Sequence, residues 1–173
     1  MDDLAADLRN RCLVSGDFVL RSGRRTDIYL DKYRAEADPD MLLRAAKRMA
    51  ADVPAGTELL AGLELGGVPI AVVLSQVTGL PTRFVRKQPK EYGTRLQVEG
   101  GEIDSRQVTV VEDVVTSGGA VVDGVEALRA AGAIVEAAVC LILRDESAIA
   151  RLGEHGVELR SAFTLAEIEQ PSG

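Results

Sequence analysis

From residue 58 onward, short apolar runs alternate with helix-length segments, and this alternation limits the fold more than any other feature of the chain. Residues 59–63, 82–85, 108–111, 134–143 and 157–162 have strand length, while 69–77, 120–131 and 147–152 read as helices between them. The run 108–111 shows no polar alternation, as expected of a strand covered on both faces. Strands separated by helices pair in parallel, so the expected class is α/β, with a mainly parallel central sheet flanked by helices.

The N-terminal segment has a different grammar. Residues 2–14 place Leu4, Ala5, Leu8 and Cys12 on one helical stripe, which Gly16-Asp17 is expected to end. Phe18-Val19-Leu20 and Ile28-Tyr29-Leu30 flank the turn Ser22-Gly23-Arg24-Arg25 as a hairpin. Asp38-Pro39 reads as an N-cap followed by Pro at the first helical position, opening a helix to about residue 51. We expect a single domain over residues 1–173, with a small helix and hairpin hood over about 1–57 and the α/β core over about 58–163.

Composition removes several classes of function. With 173 residues the chain buries about 70% of its unfolded surface and needs no covalent staple. Lys+Arg 20 against Asp+Glu 27 gives a net charge of −7, which argues against nucleic acid or a membrane surface as partner. No apolar run reaches the roughly 18 residues of a membrane span. The start, MDDLAADLRNRC, lacks the basic and apolar pattern of a signal peptide, so a cytoplasmic protein is expected. Cys12 and Cys140, without a CxxC, read as two buried thiols in a reducing compartment. The only histidine, His155, sits in a polar turn, which speaks against a zinc site and against Ser-His-Asp or Cys-His catalysis.

Polar residues collect where the strands end: Glu64-Leu65-Gly66-Gly67, Arg86-Lys87, Glu112-Asp113 and Arg144-Asp145. Open α/β sheets bind ligands at that edge, so these groups point to an anionic small molecule. The sharpest segment is Glu112-Asp113-Val114-Val115-Thr116-Ser117-Gly118-Gly119-Ala120. Its hydroxyls, backbone N–H groups and helix start can hold a phosphate. Two carboxylates beside a phosphate need donors or a cation, which ribose hydroxyls or Mg²⁺ would supply. A ribose 5-phosphate fits better than a triphosphate, and neither GxxxxGK[ST] nor GxGxxG is present. The plainer alternative is a capped strand–turn–helix with two solvated acids.

Arg86, Lys87 and Lys90 are three cations within five residues, followed by Gly93, Gly100 and Gly101 in the polar stretch 86–105. Such a stretch can serve as a lid whose cations take a leaving diphosphate, or it can be a solvated charge run. Arg144, at the end of an apolar strand, offers a fork to a carboxylate or carboxamide edge, or pairs with Asp145, Glu146 or another acid.

Segment 108–120 resembles the diphosphate-ribose signature of type I phosphoribosyltransferases, which use 5-phosphoribosyl-1-diphosphate. Arg86-Lys87-Gln88-Pro89-Lys90-Glu91-Tyr92-Gly93 is similar to the RKxxKxxG mobile loop of orotate phosphoribosyltransferases. Residues 18–24, the glycine-rich 62–71 and the strand end 143–146 resemble further segments of that family, in order along most of the chain. The resemblance implies the type I phosphoribosyltransferase fold. It also implies Mg²⁺-dependent transfer of ribose 5-phosphate to orotate, giving orotidine 5′-phosphate and diphosphate in pyrimidine synthesis. It assigns Lys87, Lys90 and Asp113 to catalysis. Contacts to 5-phosphoribosyl-1-diphosphate fall to Arg86, Lys87, Lys90, Glu112, Asp113, Val114, Val115, Thr116, Ser117, Gly118, Gly119 and Ala120. Orotate contacts fall to Thr116 and Arg144. No side chain is implied as a direct metal ligand, since Mg²⁺ travels on the diphosphate. A homodimer is implied, with Lys87 reaching the neighbouring site. Arg21, Leu30, Leu65-Gly66 and Tyr92 depart from the fuller family pattern. A phosphoribosyltransferase for a purine or uracil, or a silent regulatory homologue, remains an alternative.

Overall fold

The computed structural model describes residues 4–19, 23, 25–89 and 96–170. Helix α1 (Leu4–Cys12) runs directly into strand β1 (Leu13–Val19), which pairs antiparallel with β2 (Arg25–Leu30). The expected hairpin is present, but Gly16-Asp17 does not end the helix. α1 has already stopped at Cys12, because Leu13 and Val14 pair across the ladder with Leu30 and Tyr29, and Gly16 and Asp17 fall in a bulge between Ser15 and Phe18. After the short α2 (Tyr33–Glu36), α3 (Pro39–Ala50) starts as read from the sequence. The Asp38 side chain accepts from the N–H groups of Asp40 and Met41, with Pro39 in the first turn.

Six strands form the main sheet: β3 (Leu59–Leu63), β4 (Thr82–Val85), β5 (Val98–Glu99), β6 (Gln107–Val115), β7 (Ile134–Leu143) and β8 (Glu158–Thr164). Their order is β5-β4-β3-β6-β7-β8, parallel throughout except for the β4–β5 pair. The crossovers are α4 (Glu64–Thr78), α5 (Gly119–Ala130) and α6 (Ser147–Glu154). Neighbouring residues of β6 feed opposite cores, as the strand period requires. Val110 packs with Leu63, Val125, Leu128 and Leu152 on one face. Val111 packs with Leu8, Met41, Met49, Ile70 and Leu141 on the other, so the hood helices share a core with the sheet. One residue of the apolar run is polar: Thr109 is buried, and its hydroxyl meets that of Thr57 at 2.7 Å.

The C-terminal α7 (Leu165–Glu169) closes the fold. Thr164 and Glu167 form a reciprocal capping box, and Ile168 is fully buried in the core that also holds Leu4 and Leu8 of α1.

The helix expected to begin at Pro69 begins at Glu64 instead, so Gly66 and Gly67 lie in its first turn. This displacement follows from packing. A Cβ on Gly67 would lie 2.4 Å from the Val111 carbonyl oxygen, and one on Gly62 would lie 2.8 Å from the Gly67 oxygen. Only glycine lets α4 start directly against the sheet. Gly67→Ala should therefore destabilise the protein by about 1–3 kcal/mol through overpacking against backbone. A urea midpoint equal to that of the unsubstituted protein would contradict this.

Candidate active site

The carboxyl ends of β3, β4, β6 and β7 lead into the four polar segments singled out above, and the parallel order brings them to one edge of the sheet. Thr116 and Ser117 are exposed, and Gly118 takes φ +76° as the cap of α5, a conformation suited to glycine. Among the described residues, no backbone hydrogen bond uses the N–H groups of Thr116, Ser117 or Gly118. Together with the helix start they form a cradle of unclaimed donors that suits a phosphate. Arg151 of α6, not singled out in the sequence, brings a guanidinium to the rim, 3.3 Å from the Ser117 carbonyl. Its only sequence signal is a cation on the exposed face of the helix facing the cradle.

β6 extends to Val115, so Glu112 and Asp113 lie inside the strand rather than beyond it. They are not solvated acids: Glu112 is 9% and Asp113 2% exposed. Asp113 Oδ1 accepts from the Val114 N–H at 2.6 Å, and its Oδ2 lies 2.6 Å from Lys32 Nζ. Glu36 of α2 completes the cluster, with Lys32 and Asp113 beside it on the wall of a small cavity under the hood. Burial drives both Glu36 and Glu112 up to about 9, helped by the negative Asp113. Burial also works to raise Asp113, but contacts from the side chains of Glu112, Glu36 and Lys32 outweigh it and hold Asp113 below the ordinary range. For Lys32 desolvation is again opposed, by Asp113, and the ammonium form is favoured. The cluster therefore carries one ionised acid, one ammonium and two neutral carboxyls near pH 7. A proton on Glu36 gives its buried Oε1, which has no other hydrogen-bond partner, a donor to offer Asp113, whose Oδ2 already faces the Lys32 ammonium.

Arg86 and Lys87 stand exposed at the end of β4. Their backbone is clamped. Arg86 N–H donates to the Gln97 carbonyl at 2.9 Å, and Gln97 Nε2 donates to the carbonyls of Arg86 and Lys87 at 3.1 and 3.3 Å. Glu64, at φ +51°, accepts the Lys87 N–H. The β4–β5 ladder pairs Val85 with Val98, so any lid is shorter than the expected 86–105. Gly100 and Gly101 are not lid hinges; they pack on Arg83, and Ile103 is buried in the core. Lys90, Tyr92 and Gly93 lie outside the described residues, as does Arg21.

Arg144 follows the last β7 residue, its N–H bonded to the Val115 carbonyl at 2.8 Å, which sets it beside Thr116. Among the described residues no carboxylate pairs with its guanidinium. Asp145 instead accepts the Ser147 N–H at 2.9 Å at the start of α6, so the ion-pair alternative is not what the structure holds. Arg144 is thus half-buried at the strand end beside the cradle, with no carboxylate partner among the described residues, and a guanidinium fork left free in this way suits a carboxylate.

A phosphate cradle with an adjacent buried acid at the carboxyl edge of a mainly parallel sheet fits a sugar-phosphate enzyme, and the family model of the phosphoribosyl transferase domain, which matches residues 40–162, makes the class a phosphoribosyltransferase. An orotate phosphoribosyltransferase of a Nocardioides species is 51% identical over 166 residues, covering 96% of this chain and 93% of its own. The crystal structure of orotate phosphoribosyltransferase from Aeropyrum pernix matches with a TM-score of 0.84 at 35% identity, over 95% of each chain. That of the Mycobacterium tuberculosis enzyme in complex with 5-phospho-α-D-ribosyl 1-diphosphate matches with a TM-score of 0.80 at 27% identity, over 97% of this chain and 98% of that one. The chain belongs to the orotate phosphoribosyltransferases and has the type I phosphoribosyltransferase fold.

Proposed function

We propose that the chain transfers ribose 5-phosphate from 5-phosphoribosyl-1-diphosphate to orotate in pyrimidine synthesis, and that the residues named above divide the work as follows. The observation that carries the division is the row of unclaimed N–H donors at 116–118 between an ionised Asp113 and an unpaired Arg144. The 5-phosphate sits on the turn from Thr116 to Ala120, with Val114 and Val115 setting the strand end behind it. Asp113, with Glu112 behind it, accepts from the ribose hydroxyls. Arg144 and Thr116 hold orotate, the guanidinium taking the carboxylate. A ring nitrogen of orotate attacks the anomeric carbon while the bond to the diphosphate oxygen breaks. Positive charge grows on the ribose and negative charge on the leaving group. Arg86, Lys87 and Lys90 meet that diphosphate as the lid closes. Orotate arrives as an anion, so orientation outweighs proton transfer, which suits a site without histidine.

Mg²⁺, carried on the diphosphate rather than held by a side chain here, would supply positive charge to the leaving group. The donor set fits such an arrangement: Glu36 and Glu112 favour their neutral forms, and Asp113 already has an ammonium partner. We further read residues 1–173 as one domain, supported by the core that the hood shares with the sheet. The protein would act as a homodimer in the cytoplasm, where Cys12 and Cys140 stay free thiols as they are here, each buried. The test is stoichiometric. Orotate and 5-phosphoribosyl-1-diphosphate with Mg²⁺ should yield diphosphate and orotidine 5′-phosphate one to one, and chelating the metal should stop turnover. Diphosphate release indifferent to orotate would refute the proposal.

A further inference from the structure

Asp113 is the most deeply buried acid of the site, and three parts of the chain converge on it. β6 carries it, the first turn of α4 passes over it at Gly66, and Lys32 reaches it from the hood. A Cβ on Gly66 would lie 2.7 and 2.8 Å from the two carboxylate oxygens and 2.8 Å from Lys32 Nζ. The ammonium thus fills the space a side chain at position 66 would need, and the glycine is what admits it. Lys32 is 31% exposed, so its stem is sheltered, and its Nζ also lies 5.4 Å from the Tyr33 ring centre.

An ionised carboxylate at this depth is costly unless a cation compensates it. The groups facing Asp113 are Glu112 on its own strand, and Glu36 and Lys32 from the hood. α4 presents only backbone at Gly66. Lys32 is thus the one cation in contact with Asp113 among the described residues. The Val114 N–H fixes one carboxylate oxygen and Lys32 the other, so charge and orientation are both set before a ligand arrives.

Resting on the function proposed above, we propose that Lys32 is a positioning residue: it holds Asp113 ionised and oriented as the acceptor for the ribose hydroxyls, without itself touching the diphosphate. This makes the hood part of the ribose site, although its residues lie far from the cradle in sequence. Ribose 5-phosphate, which lacks the diphosphate, separates this role from direct contact with the leaving group.

Calorimetric binding of ribose 5-phosphate and of 5-phosphoribosyl-1-diphosphate should be compared in the unsubstituted protein, Lys32→Gln, Lys32→Arg and Gly66→Ala. Lys32→Gln should weaken both ligands by the same factor, roughly tenfold to a hundredfold, as befits disturbing hydrogen bonds to a charged acceptor. In turnover the KM for 5-phosphoribosyl-1-diphosphate should rise by that factor, while kcat changes by less than about threefold, because saturating ligand restores uniform binding. Lys32→Arg, which keeps the charge, should recover most of the affinity. Gly66→Ala, whose Cβ would press on both the Asp113 carboxylate and the Lys32 ammonium, should reproduce the equal loss by disturbing the pair as a whole and serves if Lys32→Gln is too unstable to study. Equal affinities for all four proteins would overturn the proposal. So would a loss confined to 5-phosphoribosyl-1-diphosphate, which would mean that Lys32 meets the diphosphate. If the unsubstituted protein bound neither sugar phosphate, the functional reading would fall first and this inference with it.

Discussion

Lys87→Ala should lower kcat by roughly a hundredfold to a thousandfold, the usual cost of removing one charge-stabilising donor from a transition state. Its thermal midpoint should stay where it is. The Lys87 side chain is exposed, and the contacts that anchor the loop base use its backbone N–H and carbonyl, which alanine keeps. The same variant tests the dimer. An inactive Lys87→Ala subunit has an intact cradle, and an inactive Asp113→Asn subunit has an intact loop. If the loop serves the neighbouring subunit, a mixed dimer assembles one good site from the two chains. With random exchange half the dimers are mixed and each has one working site of two, so activity should recover to about a quarter of the unsubstituted level. Exchange shown by mass spectrometry with no gain in activity would place the loop over its own subunit's site.

Arg144→Ala should raise the KM for orotate about tenfold to a hundredfold and erase most of the preference for orotate over uracil, which lacks the carboxylate. Its force comes from what Arg144 does not do in the structure. With Asp145 engaged at the start of α6 and no ion pair formed by Arg144 among the described residues, alanine breaks no such pair, so a loss of selectivity reports on the ligand. Retained selectivity between the two bases in a folded variant would remove Arg144 from the pyrimidine site.

Much of this site was legible because strand ends follow from strand periods. Once 59–63, 82–85, 108–111 and 134–143 read as parallel strands, Gly66, Arg86, Asp113 and Arg144 had to gather at one edge. Burial of the acid pair was not legible. A glutamate and an aspartate after an apolar run look like the exit from a strand, and only the partner Lys32 and the neutral carboxyls of Glu36 and Glu112 make it possible for β6 to continue through them. Lys32 itself, in Asp31-Lys32-Tyr33-Arg34, looks like a solvated charge until the hood folds down. The start of α4 is hidden for a related reason. Pro69 is the strongest local signal, but the tight seating of Gly67 on the Val111 carbonyl decides where the helix begins. Gly100 and Gly101 looked like lid hinges because nothing local reveals that Arg83 packs over them.

The central claim is that an arginine without a carboxylate partner among the described residues, beside a phosphate cradle, makes this site an orotate site. It is tested most directly by measuring kcat/KM for orotate, uracil and hypoxanthine with the same preparation, saturating 5-phosphoribosyl-1-diphosphate and Mg²⁺. Orotate should be used at least a hundredfold better than either competitor, since a receptor built for a charged group rejects analogues that lack it. Equal or better turnover of uracil or hypoxanthine, or none with any base by a folded protein that binds 5-phosphoribosyl-1-diphosphate, would contradict it.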